Sequence, residues 1–163
     1  MNRQRNSKRQ RGVAAVEFAI VLIVLLLIMA GIIEFGRAFW YYDALTKATR
    51  DGARLMSVAE RDNFSTGSFI GDAKSLVVRA ANSANLNPQL AVGQVSVTCL
   101  DGDLNTTACG SGLTANQEYI RVAITGYTID IGGFMPFLSS SGGTPTTFSG
   151  VALSPQTTMR YMN

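Results

Sequence analysis

The sequence has no histidine, which removes the commonest general base at neutral pH and the commonest nitrogen ligand for a metal. Its two cysteines cannot by themselves complete a tetrahedral zinc site, and no serine stands in a nucleophile-elbow context. Arg50-Asp51-Gly52-Ala53-Arg54 has no strand before it and no second glycine at phosphate-loop spacing, so Gly52 is expected to be a packing notch rather than a phosphate cradle. The chain is therefore expected to be no enzyme, with no catalytic residues, no cofactor, no metal and no small-molecule substrate. Charge is scarce too, at 15% of residues. The formal +3 misleads, because five of the 14 basic residues fall in the first twelve positions; beyond them nine basic residues face 11 acidic ones, a net −2. No nucleic-acid partner is expected from such a balance.

What the first residues do contain is a membrane signal. Arg3, Arg5, Lys8, Arg9 and Arg11 come without a single acid, close on Gly12, and give way to Val13–Ile33, where Glu17 is the one charge. At about 1.5 Å per helical residue, residues 13–33 just span a hydrocarbon core of roughly 30 Å. Basic flanks stay on the cytoplasmic side, so the N-terminus is expected inside and everything past Ile33 outside. A cleaved secretory signal has a shorter apolar core, about 7 to 15 residues, ending at a small-x-small site that Gly31 to Gly36 supplies poorly. Phe39, Trp40, Tyr41 and Tyr42 read as an aromatic belt at headgroup level together with part of a domain core.

Glu17 is the informative residue, since an ionised carboxylate in hydrocarbon costs a few kcal/mol unless it is paired or near the interface. Two readings stand. In the first turns of the membrane helix it complements the positive end of the macrodipole. Alternatively, a cut between Gly12 and Val13 makes Glu17 the fifth residue of a mature chain and gives Val13 an α-amino charge of opposite sign.

Gly12-Val13-Ala14-Ala15-Val16-Glu17-Phe18 and the aliphatic run after it resemble the processing site of type IV prepilins. Downstream, Glu34-Phe35-Gly36-Arg37, then Ala44-Leu45, then Ala48-Thr49-Arg50-Asp51-Gly52-Ala53-Arg54 are similar to the E-F-G-R and A-x-R-x-G-A-R pattern of TadE-like pseudopilins, the minor pilins of the tight-adherence, type IV-related pilus system. The resemblance covers Gly12 to about Val58. It implies a pilin-like structural subunit needed for assembly or function of such a pilus. It implies cleavage after Gly12 by a prepilin peptidase, with Gly12 and Val13 as the processing site. Glu17 would then form an assembly charge pair with the new amino group of an adjacent subunit. The implied partners are that peptidase, other pilins or pseudopilins, the tight-adherence machinery and membrane lipid. The implied location is the inner membrane, single-pass, with the C-terminal domain outside and a later place in a pilus.

The chain departs from the family in two ways. Ile23 stands where relatives often have proline, so no proline kink is expected. Phe18 follows the glutamate where major pilins usually have tyrosine, and a further domain follows the helix; both favour a minor component over the main fibre subunit. Arg37, Arg50 and Arg54 are candidate subunit-docking residues, beside the plainer reading of a solvated charged face. Two alternatives stay open: an uncleaved single-pass assembly factor, and a surface or adhesin-like binding module that uses the segment Gly132 to Pro155.

The fold class expected is α+β: a long N-terminal helix, half transmembrane and half amphipathic, a second helix, and a small antiparallel sheet of about three strands. The division is residues 1–12 as leader, 13–33 as membrane span, 34–60 as the helix's extramembrane continuation, and 61–163 as a small extracytoplasmic domain. Past the membrane, Phe35, Ala38, Phe39, Tyr42, Leu45, Ala48, Gly52, Leu55 and Ala59 recur at steps of three and four. One helix of roughly 45 residues, about 70 Å long, follows. Residues 60–71 read as a loop, and a second helix capped by Gly71 or Asp72 carries Ala73, Leu76, Val77, Ala80, Ala81 and Ala84 until Asn87-Pro88 stops it. Strands are expected at Gln94–Leu100, Glu118–Asp130 and Thr157–Met162, with a long loop over Gly132–Pro155. Cys99 and Cys109, placed outside the cytoplasm by the topology, are expected to form a disulfide. Asp101 and Asp103, between them, read as turn formers.

Overall fold

The computed structural model describes residues 5–60, 62–65, 67–110, 116–132 and 148–162, with backbone alone at 5–11, 65, 148 and 149. The cationic side chains of the leader and the apolar stretch Phe134-Met135-Pro136-Phe137-Leu138 lie outside the described residues. The chain divides into two compact bodies, Met1–Arg37 with Gly132–Thr147, and Ala38–Ile131 with Phe148–Asn163.

Helix α1 runs over Arg5–Ser57. Many of its first residues are Val and Ile, which have no special liking for helix. A single segment in lipid has no strand partner, however, and only a helix satisfies its backbone internally. Beyond Arg37 a different force holds it. Tyr41, Leu45, Ala48, Thr49, Gly52, Ala53 and Met56 recur at helical spacing and are buried in the domain. The expected stripe is in phase from Leu45 onward and out of phase before it: Phe39 is 71% and Tyr42 46% exposed, whereas Tyr41 is 7% exposed. Aromatic residues near a membrane boundary meet an apolar medium outside the protein, so hydrophobicity alone does not tell the inner face from the outer one.

The chain then forms a one-turn helix α2 (Asp62–Ser65) inside the expected loop, and α3 over Ser68–Asn82. The cap of α3 is Gly67, in the left-handed region at φ 69°, with no side-chain cap bond; the start is four to five residues earlier than Gly71 or Asp72 would give. The helix ends at Asn82, well before Pro88, because the Asn82 side chain turns the chain there. Its Nδ2 donates to Leu90 O at 3.0 Å and its Oδ1 accepts from Leu90 N at 2.8 Å. Ala73, Val77 and Ala81 are the buried stripe of α3.

A four-stranded antiparallel sheet has the order β2-β1-β3-β6, with β1 at Val95–Leu100, β2 at Thr106–Thr107, β3 at Tyr119–Ile124 and β6 at Gln156–Arg160. A short 3-10 turn, Val92–Gln94, leads into β1. The expected strand over Glu118–Asp130 is two strands, because Gly126 at φ 70° breaks the extended run. The second piece, β4 (Thr128–Ile131), pairs with β5 (Phe148–Ala152) as a separate two-stranded ribbon. β5 lies inside the stretch expected to be all loop, and β2 was not foreseen. The α+β class stands, with more strands than the three expected.

Alternation in β3 sends Ile120, Val122 and Ile124 inward, all fully buried. They close the core against α1 and α3. A side chain at Gly52 would collide with Val77 Cγ2 and lie 3.6 Å from Val122 Cγ1, so this glycine is the notch where α1, α3 and β3 meet. The end of α1 is tied to the C-terminal strand: Thr49 and Thr157 hydroxyls are 2.9 Å apart, Met162 N donates to Ser57 O, and the Tyr161 hydroxyl donates to Ala59 O. At the sheet's other margin Cys99 and Cys109 form a disulfide, and Asp101 Oδ1 accepts from Asp103 N and Asn105 N, shaping the turn between β1 and β2.

Candidate functional site: the exposed face of the N-terminal helix

Gly12 lies inside α1, where glycine costs about 1 kcal/mol relative to alanine. A Cβ added there would meet no atom within 4 Å. Packing among the described residues therefore does not ask for glycine at this position, in contrast to Gly52. Gly31 and Gly36 are open in the same way.

From Val13 to Ile33 almost every large side chain is exposed, among them Val13 at 69%, Phe18 at 67% and Ile32 at 65%. An apolar surface of this length has no stable place in water. It is the one helix among the described residues that is long and apolar enough to cross a membrane. Glu17 stands exposed within that surface, and among the described residues it makes no ion pair.

The three arginines singled out from the sequence are not equivalent. Arg37 Nη2 is 2.8 Å from Glu34 Oε2, one turn back, and Glu34 is 4% exposed. Arg50 and Arg54 stand exposed one turn apart on the face of α1 away from the core, and next to them Asp43 and Lys47 form a solvated pair at 2.6 Å. Arg37 is thus committed to its own chain while Arg50 and Arg54 point outward. Glu34 stands in the sequence as the first residue of the E-F-G-R block, and its step of three to Arg37 is the local signal for their pairing.

The disulfide closes the loop from Cys99, fully buried, to Cys109. Just past it Gln117 is 2% exposed; its Oε1 accepts from Gly110 N at 3.0 Å, while its Nε2 has no partner among the described residues. Asp101 and Asp103 do the turn-forming work expected of them. Neither they nor any other described residues gather into a metal-binding cluster.

Tyr127 is fully buried and donates its hydroxyl to Pro88 O at 2.7 Å. Burial, and secondarily the neighbouring Tyr41, push its pKa up from 10.0 to about 12. It is a core strut and not a reactive group.

No curated protein and no solved structure matches the chain. The segment that opens at the unconstrained Gly12, carries Glu17 and the exposed apolar face, and runs on through Arg54 does have a match: over residues 12–54 the chain fits the family described as TadE-like protein.

Proposed function

We propose that the protein is a minor pilin-like structural subunit of a tight-adherence type pilus, made as a membrane precursor and cut after Gly12 by a prepilin peptidase. The observation that carries this reading is the exposed apolar face of residues 13–33 with a lone acid five residues past a glycine that packing does not require. The family match begins at that same glycine. The role is structural rather than enzymatic.

Hydrolysis of the Gly12–Val13 bond adds one water, leaving a carboxylate on Gly12 and an ammonium on Val13. Glycine suits the step twice. It leaves room for a peptidase to close on the chain, and it is the residue that least resists local unwinding of the helix that otherwise shields the bond. The mature chain then begins with a cation and carries Glu17 one turn further on. In the bilayer both charges lie near the interface. In a bundle of helices Glu17 pairs with the amino group of an adjacent subunit, because a lone buried charge costs several kcal/mol and the pair fixes register. Packing of the aliphatic side chains from Phe18 to Ile33 supplies the cohesion. Arg50 and Arg54 are the charges placed to meet a neighbouring subunit, whereas Arg37 is held by Glu34.

The test is the mass of the N-terminus in cells with and without the peptidase. A chain starting at Val13 only where the peptidase is present supports processing. A chain starting at Met1 in both leaves a single-pass tether that serves assembly without being cut.

A further inference from the structure

β6 ends the four-stranded sheet on one side, with β3 as its single neighbour in the order β2-β1-β3-β6. In an antiparallel pair every second residue turns its backbone N–H and C=O toward the partner strand, and the residues between turn theirs away. The phase is set by Tyr161 N, which donates to Glu118 O at 2.7 Å, and by Ile124 N, which donates to Pro155 O at 3.0 Å. Thr157, Met159 and Tyr161 therefore face β3, while Gln156, Thr158 and Arg160 turn their backbone groups to the free edge. All three are exposed, and no strand among the described residues pairs with them on that side. Such an edge is a template for another strand.

The side chains of Gln156, Thr158 and Arg160 lie on the sheet face away from the core, since the alternate residue Thr157 turns its hydroxyl to Thr49 of α1. Two cations stand on that outer face. Arg160 is exposed, and Arg121 of β3 reaches across β6, its Nε donating to Thr158 Oγ1 at 3.3 Å. Neither guanidinium has an ion-pair partner among the described residues. Glu118 turns its carboxylate to Gly102, by the turn between β1 and β2. Glu60 and Asp62, just past the Ala59 carbonyl that Tyr161 holds, pair with neither arginine.

A strand added to this edge runs about 4.8 Å from β6. Its backbone answers the outward N–H and C=O groups, and the side chains it places on the outer face come within reach of both guanidinium groups. Guanidinium is a donor only, so the complement is a carboxylate. A basic strand is repelled and a neutral one leaves both cations unanswered, which makes the edge selective. Residues 133–147 of the chain contain no acid, and neither does β6 itself. The complement is therefore supplied neither by that stretch nor by the β6 of a second copy.

We propose that the free edge of β6 takes an extended acidic segment of a partner protein as a further strand, with carboxylates at alternate positions meeting Arg160 and Arg121. The inference needs neither the membrane span nor the cut after Gly12.

The full chain in neutral detergent can be titrated with a short labelled peptide that alternates glutamate with valine, and with the same peptide carrying glutamine or lysine for glutamate. The glutamate peptide is expected to bind, and the other two to bind more weakly by about tenfold or more. Arg121→Gln with Arg160→Gln should erase that preference, and Arg121→Glu with Arg160→Glu should turn it toward the lysine peptide. Amide exchange read residue by residue gives the geometry. In the free chain Gln156, Thr158 and Arg160 should exchange fast and Thr157 and Met159 slowly; the glutamate peptide should slow the first three. Absence of binding, or equal binding of the three peptides, overturns the acidic partner. Binding without protection at 156, 158 and 160 overturns the added strand. Protection of those amides in the free chain, whether monomer or dimer, shows the edge already taken and overturns the proposal as well.

Discussion

Two glycines on one helix show how differently the same residue is used. At Gly52 the restriction comes from the fold, because any side chain runs into Val77, whose branched Cβ leaves it little room to turn away. Gly52→Ala gains about 1 kcal/mol of helix propensity but loses more to overpacking, which costs about 1–3 kcal/mol in a tight core. A net fall in the denaturant midpoint of the full chain in detergent is expected, larger for Gly52→Val. At Gly12 none of the described residues resists a side chain. Gly12→Leu is expected to leave that midpoint unchanged and to block appearance of the Val13 N-terminus; a destabilised Gly12→Leu would mean that packing does constrain the site. Tyr127 gives a prediction in pH. Its native pKa lies near 12 and its ordinary value is 10.0, so the native state keeps a proton that the unfolded chain releases. The stabilisation is whole below pH 10 and is lost as pH climbs toward 12. Thermal midpoints should drop over that window in the parent chain and drop less in Tyr127→Phe, which starts lower because Pro88 O loses its donor, at a cost of about 1–3 kcal/mol.

At the scale of elements, the domain is a helix pair and a sheet whose margins are tied by a few long-range links. The disulfide fastens the end of β1 across a separation of 10 residues. By the chain-entropy model a loop of that size contributes roughly 3 kcal/mol. Replacing Cys99 and Cys109 by serine should lower the denaturant midpoint accordingly, and reductant should shift the parent chain but not the double variant. The C-terminal strand is the other fastening. Met162 N takes the carbonyl of Ser57, one of the groups that a helix end leaves unsatisfied, and Tyr161 bonds the carbonyl of Ala59, two residues past that end. Tyr161→Phe is expected to cost about 1–3 kcal/mol, since the Ala59 carbonyl remains buried without a donor. Hydrogen exchange should then rise first at residues 55–59 and 159–162. Exchange rising uniformly across the domain would show that the strand is no separate fastening.

For the whole molecule, the decisive fact is that the longest apolar surface among the described residues belongs to a helix that they leave exposed. Such a surface is satisfied by lipid or by other helices, and a subunit passing from one to the other needs its charge answered in both places. Glu17→Ala is therefore expected to permit cleavage after Gly12 and to spoil incorporation into fibres, read as a normal Val13 N-terminus in membranes with loss of the chain from sheared pili. Incorporation at the parent level would sink the charge-pair account.

The order of residues determined the basic start of the chain, an apolar helix long enough to cross a membrane, the placing of Gly12 and Glu17, the α+β class and the pairing of the cysteines. Those features rest on composition, on short spacing, or on a compartment that follows from topology. The phase of α1 past the membrane was another matter. Phe39 and Tyr42 look as buried as Tyr41 by hydropathy, and only the packed sheet and α3 decide that Tyr41 turns inward. The break of one expected strand into β3 and β4, the pairing of β4 with β5, and the early start of α3 at a left-handed glycine were likewise settled by three-dimensional closure. A local pattern can say that a face is apolar, but which medium it meets, protein or lipid, depends on residues far away along the chain.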